Sequence, residues 1–264
     1  MRRLLLAVVM SGATVGAQAA DMPDFLHGSL LPSGPSPTVN WQGFYVGGQA
    51  AIGESDMNFT GSTQSIAAKL LVDTAEEQAA SVSSWPLGGK ISTRGTGFGG
   101  FVGYNSQWDS VVLGLEFNYL HGNFGGTQSD SMSRQFVDGL GSTDQVTYAS
   151  SASMAISDMG TFRARAGYAI GSFLPYMFGG VALGEANIVR TVSITGTQNG
   201  AAVPPLSATV GQYSHLIYGY SGGVGVDMML MSCLFLRAEW QYVRFTSAID
   251  TDINTFHVGL GYKF

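Results

Sequence analysis

Charge is scarce in this sequence: Asp, Glu, Lys and Arg together make 11% of 264 residues, against roughly 25% in ordinary soluble domains. A surface wetted on all sides is hard to build from so few ions. Cysteine is scarcer still, with Cys233 alone, which excludes an intramolecular disulfide framework. Long apolar runs are also missing. Beyond the N-terminus no stretch nears the roughly 20 apolar residues that a membrane-spanning helix needs, so if this chain crosses a bilayer it does so with strands. The histidines, His27, His121, His215 and His257, share no metal-ligand spacing with one another or with Cys233, and no metal or cofactor is expected.

What is abundant is glycine, 37 residues, about double its usual share. Residues 1 to 19 have the layout of a secretory signal: Arg2 and Arg3, an apolar run from Leu4 to Met10, then small residues ending in Ala17-Gln18-Ala19. Cleavage after Ala19 is expected. Loss of the two arginines takes the formal charge from −6 to −8, and an acidic chain is a poor partner for nucleic acid. Residues 20 to 40 hold Pro23, Pro32, Pro35 and Pro37, which deny helix and ladder alike; they read as a flexible periplasmic lead-in to a barrel over 41 to 264.

From Trp41 onward the recurring signal is two-residue alternation over about ten residues, the length of a tilted membrane-spanning strand. In Val111 to Tyr119, Val111, Leu113, Leu115, Phe117 and Tyr119 share one face, while Val112, Gly114, Glu116 and Asn118 share the other. Phe256 to Phe264, Leu234 to Tyr242 and Asp158 to Ala169 behave likewise, and Phe44 to Gly53, Gly95 to Asn105, Pro175 to Glu185 and Tyr213 to Asp227 are compatible. The set predicts an all-β, eight-stranded antiparallel up-and-down transmembrane β-barrel. In Pro175 to Glu185 the lipid side stays open, because Tyr176 and Phe178 compete with Val181 and Leu183.

Connection lengths alternate. Short turns near Ser106 to Asp109, Gly171 to Phe173 and Met228 to Cys233 interleave with long segments at 54–94, 122–157 and 186–212, which are expected to be extracellular loops. Pro204-Pro205 and Trp85-Pro86 support the loop assignment. Ile66 to Ala80 has the composition of a short helix.

Alternation does not say which face meets lipid; volume does. An eight-stranded barrel has room inside for side chains or one small ligand, and Phe117, Tyr119, Phe162, Tyr168, Trp240, Tyr242, Tyr262 and Phe264 are too bulky a set to enclose. They are predicted to face lipid, with Trp41 and Trp108 at the periplasmic rim. The inward charges are then Glu116, Arg163, Arg165, Asp227, Arg237, Glu239 and Lys263. Buried charges persist when paired and hydrogen-bonded. Strand neighbours suggest two clusters that would plug the barrel, Glu116 with Arg163 and Arg165, and Glu239 with Lys263. An aqueous channel belongs to barrels of about 16 strands or more.

Two enzyme-like motifs fail on context. Gly95-Thr96-Gly97-Phe98-Gly99-Gly100 matches a dinucleotide fingerprint and Gly219-Tyr220-Ser221-Gly222-Gly223 a nucleophile elbow, but each needs a strand-to-helix turn and each lies in an alternating segment. His121 or His215 near the outer rim is a candidate for lipid-modifying chemistry, without a convergent partner in the local sequence. No enzyme is expected.

Asn40-Trp41-Gln42-Gly43-Phe44-Tyr45-Val46-Gly47-Gly48 and Phe256-His257-Val258-Gly259-Leu260-Gly261-Tyr262-Lys263-Phe264 resemble the opening and closing strands of opacity-type and OmpA-like small outer-membrane barrels, especially alphaproteobacterial surface antigens. The resemblance covers roughly residues 40 to 264. It implies an outer-membrane location, a C-terminal signal at Tyr262 and Phe264 read by the barrel-assembly machinery, and the porin-family name that such proteins often carry. No peptidoglycan-binding domain is expected after Phe264. The expected function is structural and surface-interacting, with outer-membrane lipid around the barrel and a host or envelope partner at the loops. The alternatives are a small-solute pore and an outer-membrane lipid-modifying enzyme.

Overall fold

The computed structural model describes residues 39–137 and 141–264. The signal reading, and the lead-in up to residue 38, lie outside the described residues. Eight antiparallel strands close into one ring in sequence order: β1 (Gly43–Asn58), β2 (Lys90–Trp108), β3 (Val111–Val137), β4 (Thr143–Tyr168), β5 (Phe173–Gln198), β6 (Ala201–Met229), β7 (Leu234–Phe245) and β8 (Asp250–Lys263). β1 pairs β8 from Tyr45↔Lys263 to Asn58↔Asp250, so no edge is left around the ring.

Around the ring the alternation puts apolar residues outside. Phe117, Phe162, Tyr168, Trp240 and Tyr262 are exposed, as expected of a surface that meets hydrocarbon and headgroups. Trp108 is exposed at the periplasmic rim as well, but Trp41 is only 1% exposed: its ring turns inward and packs edge-on to Phe235 at 6.0 Å. In β5 the open question is answered, since Met177, Val181 and Leu183 face out while Tyr176 and Phe178 face in.

The main departure from expectation lies above the membrane. Segments 122–157 and 186–212 are mostly strand, not loop: β3 and β4 run up to a hairpin after Val137, and β5 and β6 to a two-residue turn at Asn199-Gly200. Both turn residues have positive φ, 48° and 83°, the type I′ signature that Asn-Gly favours. Pro204 and Pro205 lie inside β6, on its edge-strand stretch, where a missing N–H is tolerated.

Why these extensions escape a membrane-strand pattern is visible in β4. Below, its inward residues are Arg165, Arg163, Thr161 and Met159; above, they are Ile156, Met154, Ala152 and Tyr148. An irregularity between Ile156 and Asp158 shifts the parity, as a bulge does. The polarity also inverts. Outside β3 and β4 in this upper half stand Thr127, Ser129, Ser133, Thr147, Ser151 and Ser153, with hydroxyl pairs Ser129–Ser151 at 3.0 Å and Thr147–Ser133 at 2.9 Å.

The connection from β1 to β2 folds against this sheet. It carries α1 (Gln64–Leu70), α2 (Ala75–Ala80) and a short 3-10 turn at Val82–Ser84, where the sequence suggested one short helix. Ile66, Ala67, Leu71, Val82, Trp85 and Leu87 form a buried core with Val146, Tyr148, Val192 and Ile194. Thr63 and Tyr148 join hydroxyls at 2.8 Å, and burial raises the Tyr148 phenol above its ordinary pKa.

Candidate functional site: a layered lumen under an outer sheet

β7 and β3 lay down their inward residues in the same order, apolar, charged, uncharged polar, then apolar. On β7, from the short-turn end upward, it is Phe235, Arg237, Glu239, Gln241, Val243 and Phe245, all buried. On β3 it is Val112, Glu116, Asn118, Leu120 and Phe124. Stacked around the ring, these give a lower layer of Trp41, Tyr45, Phe101, Val112, Leu174 and Phe235, then charges, then uncharged polar groups, then an upper apolar layer that includes Met57, Phe59, Leu120, Phe124, Ile217 and Phe245.

The charged layer is one network. Arg163 donates through Nε to Glu116 at 3.0 Å and through Nη1 and Nη2 to Glu239 at 2.7 and 2.8 Å. It also makes a close Nη2 contact with Glu116. Arg237 grips Asp227 at 2.9 and 3.1 Å and Glu116 at 2.9 and 3.0 Å. Arg165 joins Asp227 at 2.6 Å and Glu116 at 3.2 Å. The phenols of Tyr45 and Tyr176 donate to Glu116 at 2.6 Å and Glu239 at 2.8 Å. Three guanidiniums thus face three carboxylates with side chains at most 2% exposed. Full pairing is what lets such charges stay ionised out of water.

Six of the seven predicted inward charges therefore meet, and they meet as one cluster rather than two. Lys263 is outside it: half-buried at the lower rim, it donates to the Gln42 carbonyl at 3.2 Å. The space above it is taken by rings, so its long chain turns to the rim. Glu239 instead reaches across the lumen to Arg163 on β4, a partner that strand adjacency cannot suggest but a narrow barrel permits.

Of the aromatic side chains inside, Tyr176 and Phe178 were left open by the sequence, and Tyr45 and Phe101 were not expected. Arg165 lies 3.8 Å over the ring of Tyr176, Arg237 3.9 Å over Phe101 and Arg163 4.0 Å over Phe178, contacts that favour a desolvated cation. Glycine makes the room. A Cβ at Gly225 would come within 2.6 Å of Tyr176, and one at Gly223 within 2.6 Å of Phe178. Inward glycines beside bulky residues were the available signal, because glycine within a strand marks close approach.

Above the charges, Gln49 and Asn118 exchange amide hydrogen bonds at 2.9 and 3.2 Å, and buried His257 bonds Thr255 at 2.8 Å. Outside the ring, His121 pairs with Asp158 at 2.8 Å, and Tyr119 donates to the same carboxylate. His215 is exposed on β6. The two glycine motifs lie within β2 and β6. At the C-terminus, Tyr262 and Phe264 are exposed with their rings 5.1 Å apart, and the Phe264 N–H closes on the Phe44 carbonyl at 2.9 Å. Among the described residues no group of three or more His, Cys, Asp or Glu is placed to hold a metal.

A closed antiparallel ring with an apolar outer belt defines an outer-membrane β-barrel protein. The chain belongs to the outer membrane protein beta-barrel domain family, whose model matches residues 5–264. It is 26% identical over 166 residues to the 25 kDa outer-membrane immunogenic protein of Brucella ovis, covering 63% of this chain and 62% of the relative. To the 22 kDa outer membrane protein of Rhizobium leguminosarum bv. viciae it is 23% identical, covering 86% and 80%. The chain thus spans less than two thirds of the length of the Brucella relative. Among solved structures it is similar to the attachment invasion locus protein Ail of Yersinia pestis (12% identity, 84% of this chain, 99% of that one, TM-score 0.35). It is similar also to OprG of Pseudomonas aeruginosa (14% identity, 84% and 96%, TM-score 0.36).

Proposed function

We infer that this outer-membrane protein is a structural and surface-interaction protein: a barrel plugged by its own side chains that holds an ordered sheet outside the cell. The observation that carries this is the layered lumen. Its charged network sits between two apolar layers, and dewetted layers of that kind oppose ion passage. The neutral, fully paired network acts as a polar core, leaving the upper sheet and the β1–β2 connection as the parts that meet other molecules. Relatives named as immunogenic fit a surface-displayed sheet, and the exposed Tyr262–Phe264 pair fits recognition by the assembly machinery. The function is non-enzymatic on this reading.

Refolded protein in planar bilayers tests it. The expected result is a current indistinguishable from that of the bare membrane. Steady discrete openings that vanish when Arg163 and Glu239 are both neutralised would replace the plug by a small-solute pore. Removing residues 186–215 should sharply reduce recognition by antiserum raised on whole cells; full recognition after that deletion would contradict the display role.

A further inference from the structure

Four strands continue above the ring, so the outer sheet, unlike the barrel, has two edges. They are built differently. The β3 edge, above its last pairing with β2 at Gly97↔Gly122, carries Asp130 and Arg134 and is overlaid by the β1–β2 connection. The Gly88 N–H donates to Asp130 at 3.0 Å, and Arg134 lies 4.9 Å over the Trp85 ring. This edge has the charge and cover with which proteins block strand addition.

The β6 edge has no charged residue of its own, and α1 of the connection touches β6 without pairing with its backbone. β6 pairs β5 up to Gln198↔Ala201, but β7 leaves it at Gly219↔Phe245, so residues 201–216 run unpaired on one side among the described residues, a length of about 50 Å. All but Ala208 and Gln212 are exposed. No Asp, Glu, Lys or Arg occurs between Arg190 and Asp227. The same strand forms one wall of a 280 Å³ cavity through Val203, Pro204 and Leu206, facing Ile194 of β5 and Leu71 of the connection, with Glu76 and Asp144 also in its lining. Backbone groups for pairing thus lie beside a pocket able to take an apolar side chain, the two components of recognition by strand addition.

We propose that the outer β6 edge, residues 206–216 above all, binds an extended polypeptide strand of another protein without acidic side chains, one of whose apolar side chains enters the cavity at Leu206. This names the kind of partner for the surface-interaction reading and rests on it. Pro204 and Pro205 confine the useful ladder to the stretch nearer the membrane, because each lacks an N–H. A second copy of this chain in the same membrane does not fit. A dyad along the membrane normal sets the two β6 edges level and running the same way, with N–H facing N–H, whereas a ladder needs N–H facing C=O. A partner strand with acidic side chains does not fit either, since β6 offers no counter-charge and Glu76 and Asp144 already line the cavity.

The test uses the full refolded chain in lipid nanodiscs and a fluorescent synthetic peptide copying Thr191–Gln198, the uncharged strand that β6 already pairs with on its other side. Residue-resolved amide exchange is read with and without peptide. The expected result is that alternate amides between Leu206 and Leu216, those pointing away from β5, slow by at least tenfold, while the alternating amides bonded to β5 keep their rates. Leu206→Lys and Val210→Lys should weaken peptide binding at least tenfold while the protein keeps its heat-dependent gel mobility, and an N-methylated peptide should not bind. Unchanged exchange at these amides with millimolar peptide, or equal binding of the N-methylated peptide, would overturn the proposal. Reduced antiserum recognition on deleting 186–215 would still stand in that case, so the failure of the edge and of the display reading are told apart.

Discussion

The two halves of this molecule are built from the same strands with opposite polarity. Where all eight strands pair, apolar side chains face outward to lipid and charges face in; where only β3 to β6 continue, Ser and Thr face outward to water and Val, Ile, Met and Tyr face in. The environment sets the phase. Hydrocarbon outside the ring forces polar groups inward to find one another, while water outside the upper sheet restores the ordinary half-wetted pattern. Parity changes at the boundary on β4, between Ile156 and Asp158, and on β6, opposite Ala186/Ile188, while β3 and β5 keep their inward phase.

The comparison can be broken most forcefully in the lower half. Glu116→Ala removes the carboxylate shared by Arg163, Arg165 and Arg237 and is expected to cost about 3–5 kcal/mol, read by urea unfolding of refolded protein; an unchanged midpoint would deny the network its role. Trp85→Ala should cost about 3 kcal/mol through the lost packing of a large ring, but only in the upper half. Limited proteolysis should cut within residues 59–89, while the barrel remnant migrates as folded on an unboiled gel. If that remnant unfolds too, the halves are not separable. Gly225→Val forces a side chain into the Tyr176 ring and should cost about 1–3 kcal/mol by overpacking, with the partner variant Tyr176→Ala restoring part of the space though not the phenol's bond to Glu239. The smallest effect is Tyr148→Phe, which deletes the bond to Thr63 and should cost about 1 kcal/mol, seen as faster amide exchange around Thr63 and nowhere in the ring.

How much of this was legible in the sequence follows the same division. The eight membrane segments were readable because lipid demands a period-two apolar face, and Val111 to Tyr119 shows it cleanly. The inward charges were readable as the opposite phase of that pattern. Their partners were not, because Arg163 and Glu239 meet across the lumen and no sequence or strand adjacency joins them. Lys263 has the inward phase yet ends at the rim, where Trp41 and Phe235 fill the lumen before it can enter. Tyr45 was missed, and Tyr176 and Phe178 stayed undecided, because volume was assessed without the holes left by Gly103, Gly225 and Gly223. The upper strands were hidden by Ser-rich composition, by the parity shifts, and by two prolines that mark an edge as easily as a loop. Asn199-Gly200 was the one strong hairpin signal in that region.

The central claim is that the outer half is a folded continuation of the barrel rather than a set of loops. Residue-resolved hydrogen exchange of the refolded protein in lipid nanodiscs tests it most directly. Amides of Val146 to Ile156 and Ile188 to Ile194, which lie in interior strands of the outer sheet, should exchange orders of magnitude more slowly than free peptide, as paired and buried amides do. Exchange of those amides at free-peptide rates, with Phe162 to Ala166 still protected in the ring, would contradict the account.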